Sequence, residues 1–200
     1  MANVDRPNGF RPVGTISGAP WQGAITKCYS DADNLFMGDV VVKNTAAQAD
    51  PKSGGGYLAV DRATSTTATI ALGVVVGWEP NPTALGNLYH TASTTYAVYV
   101  CTAPDAIYRV QGDGAGTLAD ATSVGLNTDL VIAAGSTTTG ASNMEIDEDT
   151  TAFATTADTP VKVIGVVNEP NNTAGTANCD WLVVFNKHSL KSDTGATAGL

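Results

Sequence analysis

Leu72-Gly73-Val74-Val75 leads into Glu79-Pro80-Asn81, and Ile164-Gly165-Val166-Val167 leads into Glu169-Pro170-Asn171. After each phrase comes a short polar spacer containing glycine, then a β-prone run: Tyr96-Ala97-Val98-Tyr99-Val100 in the first copy, Trp181-Leu182-Val183-Val184-Phe185 in the second. β-Branched and aromatic residues fit a pleated, half-buried surface. Pro80 and Pro82 forbid continuation of the first phrase as a central strand. Each copy therefore reads as a buried strand, a hard turn and a returning strand. Two copies are too few for a solenoid, so the expectation is two equivalent strand pairs within one sheet system.

The rest of the chain extends this reading. Ala24 to Tyr29, Gly38 to Lys43, Tyr57 to Val60 and Thr66 to Ile70 read as strands, with turns or loops at Asp31 to Asn34, Pro51 to Gly56 and Asp61 to Ser65. Ile70 to Val76 is apolar throughout, as expected of a strand covered on both faces. Thr94 to Cys101 and Ala106 to Gln111 alternate cleanly, and Asp129 to Ala133 offers one short strand. No convincing amphipathic helix interrupts them. Many short strands between turn signals indicate an all-β chain, a compact β-sandwich or β-barrel, with jelly roll among the possibilities.

Composition agrees. Of 200 residues, 43% are hydrophobic, enough to form a core, and only 14% are charged, below the usual ~25%. Long exposed helices need more Glu, Lys and Arg than this. The formal net charge is -9 with 10 basic residues and no basic patch in the sequence, which argues against nucleic acid and anionic membranes as partners. The start of the chain is polar and lacks a signal-peptide pattern. The strongest apolar stretch, Ile70 to Trp78, is too short to span a bilayer. The expectation is a protein made in a reducing cytoplasm, with Cys28, Cys101 and Cys179 as buried thiols.

Three regions stand apart. Residues 1–22 are interrupted by Pro7, Gly9, Pro12, Gly14, Gly18 and Pro20, yet carry Phe10, Val13 and Trp21. They read as an extended N-terminal arm that anchors on a neighbouring subunit through Phe10 and Trp21. Residues 23–190 read as a single β domain, within which 112–160, rich in Gly, Ser, Thr and Asp, is a loop-rich excursion from the core. Residues 191–200 read as a mobile tail.

Catalytic chemistry finds no pattern. His90 and His188 lie beside polar turns and read as surface or strand-end histidines, and no G-x-S-x-G elbow is present. Zinc spacing is absent. Glu145-Ile146-Asp147-Glu148-Asp149 is the one candidate for a hard cation, but without an EF-hand loop it reads as a solvated loop. Gly112-Asp113-Gly114-Ala115-Gly116 lacks the Lys-Ser/Thr of a P-loop. No catalytic residue, metal or cofactor is expected.

A resemblance enters through the order of several segments. These are Met1 to Pro12, Ala103-Pro104-Asp105-Ala106-Ile107-Tyr108-Arg109-Val110-Gln111, Val124 to Val131, Gly135 to Ser142, and Val163 to Val167 with the Pro170-Asn171 that follows. Together they resemble the capsid decoration, or cement, proteins of tailed bacteriophages. The resemblance implies a structural virion protein without catalytic residues. It would bind the outer surface of the head, bridge neighbouring subunits of the major capsid protein against the pressure of packaged DNA, and form a homo-oligomer, a trimer by preference. It implies synthesis in the host bacterial cytoplasm. Phe10, Arg11 and Trp21 are the residues expected to contact the capsid or a neighbouring subunit. The alternative is a virion-surface or tail module that grips host glycans through the 112–160 excursion and exposed Trp78, Tyr89 and Trp181.

Overall fold

The computed structural model describes residues 3–49, 54–81, 83–155 and 158–191. The tail expected beyond Lys191, and residues 51–53 of the expected Pro51 to Gly56 loop, lie outside the described residues. The strands are β1 (Arg11–Thr15), β2 (Ile25–Ser30), β3 (Val40–Ala49), β4 (Gly56–Arg62), β5 (Gly73–Trp78), β6 (Tyr96–Cys101), β7 (Ala106–Gln111), β8 (Asn127–Thr128), β9 (Leu130–Val131), β10 (Glu145–Ile146), β11 (Val161–Val166) and β12 (Asp180–Phe185). Two single 3-10 turns, Trp21–Ala24 and Ala121–Ser123, are the helical content of the described residues. The all-β reading holds, and it combines a barrel with a sheet.

β2, β4, β3, β5 and β6 close into a five-stranded barrel, while β1, β7, β12, β11 and β8 form a five-stranded sheet in that order. All neighbours are antiparallel except β2 and β4, which close the barrel through a parallel contact at Tyr29 and Ala59. The barrel wall facing the sheet is buried on both sides. Val41, Val75, Val98 and Val100 fill the barrel with Cys28, Leu35, Val60 and Leu72. Their chain neighbours Val40, Val74 and Cys101 point the other way, into a core shared with Tyr108, Val110, Val161, Val163, Trp181, Val183 and Phe185 of the sheet. Successive side chains of a strand point to opposite faces. A wall between two cores therefore needs an unbroken apolar run, which Ala71 to Val76 provides; the strand runs over Gly73–Trp78, later than the expected Ile70 to Val76, and Ile70 is exposed.

The duplicated phrases lie in two similar strand pairs, but in separate sheets and not in one sheet system as expected, and the likeness extends over three strands. β5 pairs with β6, with a register shift between Val75 and Gly77, so that Gly77 lies opposite Tyr99. β11 pairs with β12, with a shift between Val163 and Gly165, so that Gly165 lies opposite Leu182. The bulged residues are Val76 and Ile164, each followed by glycine, and β1 repeats the device at Val13-Gly14 against β7. On the far side of the returning strand, Lys27 of β2 pairs with Tyr99 and Arg109 of β7 pairs with Leu182. The glutamate of each Glu-Pro-Asn turn reaches that basic residue: Glu79 to Lys27 at 2.9 Å and Glu169 to Arg109 at 2.6 Å. The equivalence is offset from the sequence alignment, because Gly165 occupies the place of Gly77 and not that of Gly73.

Four expectations about these elements are corrected. The extended N-terminal arm does not run to residue 22, since Arg11–Thr15 is already an edge strand of the sheet. Phe10 does not anchor on a neighbour: its ring is fully buried in the chain's own core, stacked on Phe185 at 5.7 Å and edge-on to Tyr108 at 6.3 Å. Its N–H donates to Gly38 O at 2.9 Å, where Gly9 (φ +65°) and Gly38 (φ +97°) face each other too closely for either to carry a side chain. The 112–160 region is not an excursion, because Leu130, Met144 and Ile146 are fully buried in the shared core. Its backbone is fastened by β9–β10 pairing and by β8 on β11. A fourth segment, Thr66 to Ile70, forms no strand: the Thr69 hydroxyl donates to Ser65 O and gives the backbone a local partner in place of a ladder.

Two substitutions check this architecture. A Cβ at Gly73 would lie 2.1 Å from Cys101 O, whereas at Gly77 and Gly165 the nearest atoms are 3.9 and 3.8 Å away. In urea titration, Gly73→Ala is expected to cost more than about 2 kcal/mol, and Gly77→Ala or Gly165→Ala less than about 1 kcal/mol. Equal costs at Gly73 and Gly165 would contradict the offset. Phe10→Ala is expected to destabilise the isolated chain by about 3–5 kcal/mol, because the ring belongs to its own core. A variant as stable as the parent would contradict that placement.

Candidate functional site

The outer face of the sheet carries the site. Tyr108 and Val110 of β7 point into the core, so Ile107, Arg109 and Gln111 point out. Arg11 of the edge strand lies in register with Arg109. On the other side, Leu182 and Asp180 of β12 lie in register with Arg109 and Gln111. Residues 3–9 cross this face as a strap. The Gln111 amide holds it from both ends, accepting from Arg6 N at 2.8 Å and donating to Val4 O at 2.9 Å. Asn3 fastens the strap's start, accepting from Thr173 N and donating to Thr173 O and Thr176 O.

Between strap and sheet lie two adjoining clefts of about 290 and 400 Å³ that share Arg6, Arg109, Gln111 and Asp180. Arg6 and Arg109 line both and Arg11 lines the smaller, three of the four arginines in an acidic chain. Arg109 is fully engaged. Its Nη1 and Nη2 donate to the two oxygens of Glu169 at 2.6 and 2.9 Å, and its Nε donates to Asp180 Oδ2 at 3.2 Å. The Glu169 hydrogen bonds hold the guanidinium charge above its ordinary range, and Arg109 in turn holds the Glu169 carboxyl below its own. Arg11 differs. It donates to the neutral Asn8 Oδ1, its Nε is buried without a hydrogen-bond partner, and burial lowers its pKa.

Of the residues expected to make contacts, Arg11 therefore lies in a cleft, Phe10 in the core, and Trp21 half-buried against the shared core. Arg109 and Glu169 received no role from the sequence, although both lie in segments singled out there. Their pairing links two segments 60 residues apart. Only the equivalence of the two Glu-Pro-Asn turns hinted at it.

The other chemistry-bearing groups are structural. His90 and His188 are buried, which corrects the surface reading. His90 stacks on Tyr96 with ring centres 3.9 Å apart, and the His188 Nδ1 accepts from Leu190 N at 3.1 Å. All three cysteines are free and buried, as expected, and burial pushes the Cys28 thiol up to about 12. Glu148 is also fully buried, against the solvated-loop expectation. Its carboxylate accepts from Trp181 Nε1 at 3.1 Å, Asn178 N at 3.1 Å and Cys179 N at 3.3 Å. The alternation of Glu145 to Asp149 explains this, since Ile146 and Glu148 share one inward face. Among the described residues no three His, Cys, Asp or Glu side chains are placed to hold a metal ion, and no helix is long and apolar enough to cross a membrane.

Compared with protein-family models, curated proteins and solved structures, the chain matches none.

Removing the Glu148 carboxylate strands three donors, so Glu148→Ala is expected to cost about 3 kcal/mol or more in denaturant titration, and Glu148→Gln distinctly less. A cost for Glu148→Ala below about 1 kcal/mol would refute its role. The pH dependence follows from other buried groups. Burial, and then the nearby Asp5, Asp113 and Glu148, raises Glu145 from 4.5 to about 7. Burial likewise raises Asp39 to about 6. Folded carboxyls thus bind protons before unfolded ones, and their contribution increases as pH falls through about 7. Burial lowers His188 from 6.5 to about 4, so below 6.5 the unfolded state gains a proton that the folded state refuses, and stability is lost. The melting temperature is expected to climb from about pH 8 to 6.5 and flatten below, with the climb reduced in Glu145→Gln.

Proposed function

We propose that this chain is a structural virion protein, not an enzyme. It binds the outer surface of a bacteriophage capsid as a homo-oligomer, a trimer by preference, and cements neighbouring major capsid protein subunits against internal DNA pressure. The resemblance of its ordered segments to capsid decoration proteins motivates the reading. One observation carries it: the histidines, the cysteines and Glu148 face inward, while several large aliphatic side chains face outward. Both histidines, the three cysteines and Glu148 are buried and engaged in packing or hydrogen bonds. Val13 and Ile16, on and just after the edge strand, are 52% and 65% exposed, and Leu85 and Leu88, in the β5–β6 connection, are 80% and 55% exposed. Protrusions of this kind on a stiff body suit contacts between proteins, where apolar side chains leave water. An acidic surplus suits a shell exterior, away from packaged nucleic acid.

The glycan-binding alternative loses its footing in the aromatics. Trp181 is fully buried, Trp78 packs against the barrel core, and Tyr89 stacks on Phe36 at 5.1 Å. A stacking platform for sugar rings needs those faces free.

The test compares phage particles with and without the chain. Particles lacking it are expected to release DNA at lower temperature or in low salt, and purified protein added back is expected to restore them. The double substitution Leu85→Asp with Leu88→Asp is expected to keep the melting temperature of the isolated protein but to weaken add-back at least tenfold, since burying a charge in an apolar contact is costly. Particles that are equally robust without the chain would refute the cementing role.

A further inference from the structure

We infer that the cleft around Arg11 is a receptor for a carboxylate carried on an extended acidic segment of a partner protein. The first ground is an unbalanced charge. Arg11 and Arg109 lie directly opposite each other on neighbouring antiparallel strands, and like charges so placed are destabilising. Two carboxylates relieve Arg109, whereas among the described residues no carboxylate forms a salt bridge with Arg11. The second ground is the poor satisfaction of the Arg11 guanidinium within the chain: it donates to the neutral Asn8, and its Nε–H has no acceptor there until the side chain turns toward one. A guanidinium presents a planar fork that matches a carboxylate. The third is access: both clefts open beside the strap, and Val4, 60% exposed, lines the larger one and offers an apolar contact for the stem of an acidic side chain.

The charge count selects the ligand. Arg6, Arg11 and Arg109 supply three positive charges to the Arg11 cleft; Asp180 lines it as well, and Glu169, which lines the adjoining cleft, neutralises Arg109 from there. The surplus of one suits a monoanion. A dianionic phosphate would set its second charge against Glu169 and Asp180, where repulsion is weakly screened. The clefts belong to the isolated chain, so this site stands or falls independently of any capsid.

The test follows the Arg Nε–H signals of ¹⁵N-labelled protein by NMR. An acetylated, amidated peptide of alternating Glu and Gly is titrated, with its Gln-for-Glu counterpart and inorganic phosphate in parallel. The Glu peptide is expected to shift the Arg11 signal saturably. The Gln peptide is expected to leave it unmoved, and phosphate to bind more weakly than the Glu peptide. Arg11→Gln is expected to lower Glu-peptide affinity at least about tenfold, as loss of a charged hydrogen-bond pair should, with Arg11→Lys intermediate. No saturable shift of Arg11, equal binding of the Gln peptide, tighter binding of phosphate, or undiminished binding by Arg11→Gln would each overturn the site. The titrations of the unsubstituted protein decide the matter even if a variant fails to fold.

Discussion

The fold depends on burying both faces of the wall formed by β3, β5 and β6. Val75, Val98 and Val100 close the barrel interior, while Val74 and Cys101, one residue along, close the core shared with the sheet. The barrel has an apolar interior of its own, but the core between barrel and sheet needs both halves. A small barrel alone would expose Val40, Val74 and Cys101, and the sheet alone would expose Tyr108, Trp181 and Phe185. Each fully buried large side chain of this kind contributes on the order of 1.5–3 kcal/mol. The two halves are therefore bound thermodynamically, and a contact made on the sheet is mechanically felt by the barrel. For a protein proposed to resist deformation, that coupling matters more than any single ion pair.

The N-terminal strap completes the same core from outside. Phe10 enters between Tyr108 and Phe185, and Gly9 meets Gly38 backbone to backbone. This contact fixes Asn8 and Arg11 on either side of it, and so fixes the clefts. The arm's aromatic is thus structural, and its polar neighbours are left to face a partner. A chain segment held by one buried ring and one bifunctional amide, Gln111, has a defined path without belonging wholly to the sheet.

Periodicity made most strands legible in the sequence. Tyr96 to Cys101 and Ala106 to Gln111 needed only their alternation, and Ile70 to Val76 announced a doubly covered strand. What stayed hidden depended on partners distant in sequence. Glu148 looked solvated because its neighbours are acidic, yet its acceptors serve Asn178, Cys179 and Trp181 about 30 residues away. His90 and His188 sit among polar residues, which suggested exposure, but stacking and backbone contacts bury them. Leu130, Met144 and Ile146 are too sparse to advertise a core position, and only the fold shows that one large side chain every several residues is enough to pin a loop. The repeat was legible as a phrase and misaligned as a structure, because bulges count residues differently from sequence. Of the candidate site, Arg11 was legible as a polar residue in an aromatic arm, but Arg109 and Glu169 were not, since an ion pair leaves no local signature.

The three-strand repeat explains why the arginine cleft occurs where it does. In the barrel copy, the Glu79 partner is Lys27, and the strand beyond it is β4, which joins by a parallel contact and closes the barrel. In the sheet copy, the Glu169 partner is Arg109, and the strand beyond it is β1, an edge. The same glutamate-to-cation device is therefore enclosed once and open once. At the open copy the edge strand adds a second arginine, and the second carboxylate there, Asp180, bonds Arg109 instead, while Arg6 of the strap adds a third positive charge. An edge strand is where a fold most easily accepts a partner chain, and this edge presents a cation, a buried donor and exposed Val13 within three residues of one another. Where the barrel copy resolves its charges internally, the sheet copy leaves one positive charge for something outside the chain to neutralise.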